Sequence, residues 1–212
     1  MFEFTDIQQN SDEWYSLRCG RVTSSKMGCV MANYGKAFGD PAKRYAKQIA
    51  VERITGIPTR AGYKNEHMER GHEEEPIARK KYEDIMFYTV SNGGFFFDDD
   101  VGCSPDGIVF DDGLIEIKSA DAHIHYDRMV SESFDKTYKW QMLCNMKFTG
   151  RDWIDFISYC SDFPQEKKLY IYRLWAKDFK DEFKMIDSRL KEFLGLINEA
   201  QKNIERSKCI HC

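Results

Sequence analysis

The sequence predicts a single α/β domain over residues 1–212, and three observations carry that prediction. Helical patterns dominate both ends of the chain. Short aromatic and β-branched runs crowd the segment 86–118, and neither an internal repeat nor a linker interrupts the pattern. The composition, 42% hydrophobic, 14% aromatic and 31% charged, supports a core and excludes a disordered or low-complexity chain. No run of 18 apolar residues exists, so no membrane span is expected. The N-terminal MFEFTDIQQN has neither the basic nor the apolar region of a secretion signal. Seven cysteines without framework spacing fit a reduced, cytoplasmic chain.

The elements follow in order. Residues 11–20 predict a short helix, capped by Ser11 and stopped by Gly20. Arg21 to Lys26, rich in Thr and Ser, suit the cap of a second helix that runs into a loop at 33–39. Asp40-Pro41 opens a third helix that closes at Gly56. Residues 67–84 are helical in composition, with Pro76 expected to kink that helix or to begin a new one. Strands are expected at 86–90, 94–97, 101–110 and 114–118, then a helix at 137–148 and strands at 153–160 and 169–175. A long helix from about 178 to 206 closes the chain. Its stripe of Phe179, Phe183, Ile186, Leu190, Phe193, Ile197, Ala200 and Ile204 marks core packing or a subunit seam.

Charge is uneven. The net is +4 over 1–64, −12 over 65–135 and +4 over 136–212. An acidic middle is ordinarily a solvated surface, but it also suits a carboxylate cluster that binds cations between basic segments that hold a polyanion.

The most informative stretch is Gly102 to Lys118. Asp111-Asp112-Gly113 between apolar runs signals a hairpin. With a three-residue loop and Gly113 left-handed, Phe110 faces Leu114, Ile108 faces Glu116 and Asp106 faces Lys118. Asp106, Glu116 and Lys118 then share one face, with Ile115 and Ile117 on the other. A two-residue loop would put Asp106 on the opposite face. The first register gathers two carboxylates and an ammonium. Phosphodiester hydrolysis uses such a trio: the carboxylates hold divalent cations that activate water, and the lysine stabilises charge in the transition state. The bland alternative is an exposed hairpin with one cross-strand ion pair. Glu73-Glu74-Glu75 offers a third carboxylate, and Gln141 lies in a separate helix.

These residues resemble the lambda-exonuclease and YqaJ-type viral recombinase family of the PD-(D/E)XK nuclease superfamily. The resemblance runs from residue 12 to about 149. It includes Asp12-Glu13-Trp14, Leu17-Arg18-Cys19-Gly20, Val22-Thr23-Ser24-Ser25, Gly71 with Glu75 and Ala78-Arg79. It continues through Cys103-Ser104-Pro105-Asp106-Gly107, Leu114 to Lys118, and Tyr138 with Gln141. The resemblance implies a restriction-endonuclease-like fold, a central mixed β-sheet flanked by helices. It implies that Glu75, Asp106, Glu116 and the carbonyl of Ile117 bind Mg²⁺, with Mn²⁺ as a substitute. Lys118 would assist the attacking water and Gln141 would support the site, while Arg18, Ser25 and Ser104 would contact a DNA 5′-phosphate. It further implies a 5′→3′ exonuclease that leaves a 3′ overhang on duplex DNA, a ring-shaped homo-oligomer such as a trimer, and a single-strand annealing protein as partner.

The chain departs from the family pattern at Ser119-Ala120, where Cys-Pro is common, and at Leu143, where a second Gln is usual. Neither removes a metal ligand. Two rivals remain at this stage: a structure-specific endonuclease on the same fold, and a non-catalytic DNA-binding module. His67, His72, His123 and His125 read as solvated, and the Cys209-Ile210-His211-Cys212 tail as frayed rather than as a metal or iron–sulfur site.

Overall fold

A computed structural model describes residues 2–59 and 66–207; the side chain of His67 and the Cys209–Cys212 motif lie outside the described residues. The chain runs β1 (Glu3–Thr5), α1 (Asp12–Arg18), β2 (Val22–Thr23), α2 (Met27–Met31), α3 (Asp40–Thr55) and α4 (Glu66–Met86). It continues β3 (Val90–Ser91), β4 (Phe95–Phe97), β5 (Val101–Cys103), β6 (Gly107–Val109), β7 (Gly113–Ser119), α5 (Ala122–Val130) and α6 (Lys139–Thr149). Then β8 (Trp153–Tyr159) and β9 (Leu169–Trp175) precede α7 (Lys180–Arg206).

The expected central sheet is two sheets. One has the order β1-β4-β5-β2 and the other β3-β6-β7-β8-β9, and each mixes parallel with antiparallel pairs. β7 and β8 are parallel neighbours buried on both sides, which explains their continuous apolar character. Leu114 points to a core shared with α6, where Met142, Leu143, Phe156 and Phe193 are buried. Ile115 and Ile117 point the other way, to a core with Ala78 and Tyr82 of α4. A smaller cluster of Trp14, Phe95 and Phe97 seats α1 on the first sheet.

Most helix signals act as read. Ser11 accepts the Trp14 N–H, Gly56 closes α3 left-handed at φ +66°, and Ile186, Leu190, Phe193 and Ile197 of the α7 stripe are buried. Four expectations need correction. Of the two outcomes expected at Pro76, a kink or a new helix, no new helix begins there: α4 is one helix from Glu66 to Met86, with Ala78 and Tyr82 beyond the proline packed into the core. Met86 therefore ends a helix, and only Val90 of the expected 86–90 strand is paired. The strand expected at 101–110 is β5 and β6 separated by Ser104-Pro105-Asp106, since proline has no N–H to give a ladder. Finally, the segment after β7, where the sequence predicts no element, is the helix α5.

The hairpin register is also corrected. Val109 faces Gly113 and Gly107 faces Ile115, so the pairing slides by two residues from the expected one. The left-handed residue is Phe110 at φ +52°, held by Arg151, whose Nη1 donates to the Phe110 carbonyl at 2.9 Å. Gly113 is needed for space, because a Cβ there would collide with the Trp153 ring. A slide of two keeps the parity of the strand. Asp106 thus remains on the side of Glu116 and Lys118.

Candidate active site

The break after β5 places Asp106. Its Oδ2 accepts the backbone N–H of Ile117 at 2.6 Å, and its own N–H donates to the Ile115 carbonyl at 3.2 Å. The preceding turn is anchored from outside: Gln9 donates to the Pro105 carbonyl at 2.9 Å, and the backbone of Gly93 approaches Pro105 where any side chain would clash. The carboxylate is fixed beside the centre of β7.

From β7, Glu116 turns toward α6 and is fully buried. Gln141 donates to its Oε1 at 2.5 Å and Asn145, one helical turn on, to its Oε2 at 3.0 Å. Lys118 pairs with the same Oε1 at 2.5 Å, so its partner is Glu116 rather than the expected Asp106. The Lys118 ammonium also lies 5.0 Å from the centre of the Tyr138 ring, a cation–π contact that favours the charged form. Burial alone would lower the Lys118 pKa, but Glu116 and Asp106 outweigh it and hold the group protonated well above its usual range.

Glu75 enters from α4. Its neighbour Arg79 sits 3.7 Å away at the i+4 position and also donates to the Asp106 carbonyl, joining the helix to the Asp106 turn. Burial and then the Asp106 charge push the Glu75 carboxyl up to about 7. The same two causes raise Glu116 to about 7 against the pull of Lys118. Glu74, by contrast, is buried and accepts from Ser161, while Glu73 is exposed. Of the three acids, Glu75 is the one raised by the charge of Asp106.

A hard divalent cation fits these residues. The donors are all oxygens, and two of the three carboxyls are pushed up first by burial and then by the like charge of Asp106, a repulsion that a cation would relieve. Among the described residues no three His, Cys, Asp or Glu side chains close into a ready cage. Glu116 is drawn toward its two amides and Lys118, and Glu75 toward Arg79.

The three residues expected to hold a phosphate are partly assembled. Arg18 donates weakly to Thr23 and Ser25, both at 3.4 Å, and its guanidinium stacks 3.9 Å over Trp14. Burial lowers its pKa, and no carboxylate is within ion-pair distance of it among the described residues. It lines a cavity of about 220 Å³ with Trp14, Arg21, Thr23, Lys26 and Tyr45. Ser25 lies in a 3-10 turn (Ser24–Lys26) before the five-residue α2. Ser104 does not share a strand with Asp106. Its hydroxyl accepts from Trp14 Nε1 at 2.7 Å and donates to the Gly94 carbonyl at 2.5 Å. Ser104 thus joins the cavity to the Asp106 turn through Trp14.

The histidines are corrected in part. His72 and His123 are exposed, but His125 is fully buried in α5. Two site residues were missed by sequence reasoning, Arg79 and Asn145. Both lie four residues beyond a recognised one, Glu75 and Gln141, and that helical spacing was the available signal.

A two-sheet α/β core with Glu116 and Lys118 on one face of β7 and Asp106 in the turn beside it is the architecture of the PD-(D/E)XK fold. Residues 13–152 match the YqaJ-like viral recombinase domain, and the chain belongs to that family. Among solved structures, the alkaline exonuclease LHK-Exo from Laribacter hongkongensis superposes with a TM-score of 0.82 at 29% identity, covering 92% of this chain and 97% of that one. The same protein in complex with dAMP gives the same values. A phage-related exonuclease from Haemophilus somnus 129PT shares the fold, with a TM-score of 0.66 at 16% identity over 90% and 97% of the two chains. A comparison with curated protein sequences gave no match.

Proposed function

We propose that this chain is a divalent-metal-dependent deoxyribonuclease, a 5′→3′ exonuclease that digests one strand of duplex DNA and leaves a 3′ overhang. The observation that supports the reading is that Asp106, Glu116, Lys118 and Gln141 gather on one side of β7, with Glu75 of α4 close enough to feel the charges of Asp106 and Lys118. Membership of the YqaJ-like family and likeness to an alkaline exonuclease, also crystallised with dAMP, support it.

Glu75, Asp106, Glu116 and the Ile117 carbonyl would hold Mg²⁺ or Mn²⁺. The bound cation supplies a water of lowered pKa and positive charge for the pentacoordinate transition state. Gln141 orients Glu116. Lys118, kept protonated by its anionic neighbours, donates toward the attacking water and the developing charge. Arg18, aided by Ser25 and positioned through Trp14 and Ser104, holds the 5′-phosphate that sets polarity.

Cytoplasmic action beside a single-strand annealing protein, from a ring such as a trimer, completes the reading. No helix among the described residues is long and apolar enough to cross a membrane. Digestion of 5′-phosphorylated linear duplex and of closed circular duplex in Mg²⁺ tests the activity. Mononucleotides should be released from the linear substrate alone. Cutting of the circle would support an endonuclease instead, and cleavage of neither would leave a DNA-binding module.

A further inference from the structure

Helix α6 presents two amides to one carboxylate. Gln141 and Asn145 are one turn apart, and the first reaches Glu116 Oε1 while the second reaches Oε2. Asn145 is fully buried among Met142, Leu143, Cys144 and Met146, all equally enclosed. Among the described residues its own Oδ1 finds no hydrogen-bond partner. A buried, half-satisfied amide costs stability relative to an apolar side chain of the same shape. Packing therefore does not explain an asparagine here.

The Glu116 carboxylate does. The last torsion of a glutamate is broad and nearly two-fold, so donors on one oxygen leave the plane of the group free to rock. Gln141 and Lys118 both address Oε1. Among the described residues only Asn145 donates to the other oxygen.

We propose that Asn145 is a positioning residue that locks the plane of the Glu116 carboxylate, so that this group meets a divalent cation and the scissile phosphate in one orientation. The inference rests on the nuclease reading above. Asn145 acts through Glu116 and touches no reacting atom.

The test compares the wild-type chain with Asn145→Leu and Asn145→Ala, both of which remove the donor. Mn²⁺ binding is followed by calorimetry, single-turnover cleavage of linear duplex gives the rate, and DNA affinity is measured separately. Loss of a partner that orients a ligand typically weakens metal binding or activity by about 10–100-fold. Both variants should show losses of that order in Mn²⁺ affinity and in rate, with DNA affinity within about twofold of wild type. A merely structural asparagine would lower Tm and leave the Mn²⁺ affinity of the folded protein unchanged. Wild-type-like Mn²⁺ affinity and rate in Asn145→Leu would overturn the proposal. Should Asn145→Leu not fold, Asn145→Ala is read by the same criteria. A wild-type chain that binds Mn²⁺ but hydrolyses no DNA would overturn the nuclease reading alone, and the Mn²⁺ titrations would still decide the role of Asn145.

Discussion

Asp106 Oδ2 accepts the backbone N–H of Ile117 at 2.6 Å, which ties the turn after β5 to the middle of β7. That bond substitutes for a ladder bond that β6, starting only at Gly107, is too short to make. It also holds the Asp106 carboxyl beside the buried Glu116, and the repulsion between them adds to burial in raising the Glu116 pKa against the pull of Lys118. The energetic cost is placed where a metal would remove it.

Cleavage should accordingly require Mg²⁺ or Mn²⁺ and stop in excess chelator. Ca²⁺ should support DNA binding with little hydrolysis, because its loose coordination sphere positions water poorly. Mg²⁺ should also raise Tm, since a ligand that binds only the folded state stabilises it by mass action. Undiminished cleavage in chelator would contradict the assignment.

Lys118→Ala should lower the single-turnover rate by about 10²-fold or more at saturating enzyme, because its charge acts on the transition state. The same change unpairs the buried Glu116, and breaking such a pair costs about 3–5 kcal/mol, so Tm should fall as well. A reduced Tm with an unchanged rate would leave Lys118 a structural ion-pair partner.

Duplex ends bearing a 5′-phosphate should be digested faster than 5′-hydroxyl ends. Arg18→Ala should erase most of that preference, and Arg18→Lys should not restore it, since an ammonium lacks the planar fork. Equal rates on both ends in the wild type would remove the Arg18 cavity from the mechanism.

His125 supplies a pH dependence away from the site. Its Nε2 must donate to the Lys167 carbonyl at 2.9 Å, so Nδ1 accepts from Ser158, whose oxygen in turn accepts from Arg128. Burial, opposed by the bond to Lys167 and reinforced by the Arg128 charge, lowers its pKa. The unfolded chain then binds more protons below about pH 6.5, and stability falls as pH drops through that value. The raised Glu75 and Glu116 carboxyls contribute the opposite sign over the same range, so the His125 contribution is read as a difference: in thermal melts from pH 8 to 5 the wild type should lose stability relative to His125→Gln as pH falls below about 6.5. Parallel slopes would contradict it.

The grouping of Asp106, Glu116 and Lys118 was legible because it depends only on the parity of a strand, which a register slide of two preserves. The register itself was not legible. It turns on Phe110 adopting a left-handed backbone and on Trp153 lying over Gly113, a contact from a strand forty residues away. Helix α5 was missed because His125 and Arg128 are buried by polar partners, which hydropathy cannot register. β1 and β2, three and two residues long, carry no period to detect. Trp14 and Ser104 meet across ninety residues, so the link between the Arg18 cavity and Asp106 exists only in the fold.

The central claim is that the carboxylates beside β7 form the hydrolytic centre. Single-turnover hydrolysis of 5′-phosphorylated linear duplex by Asp106→Asn in saturating Mg²⁺ tests it most directly. The amide cannot replace the anionic ligand yet relieves repulsion on Glu75 and Glu116, so the variant should fold, melt no lower than wild type in the absence of metal, and bind DNA while releasing no detectable nucleotide. A folded Asp106→Asn protein that cleaves at the wild-type rate would contradict the account.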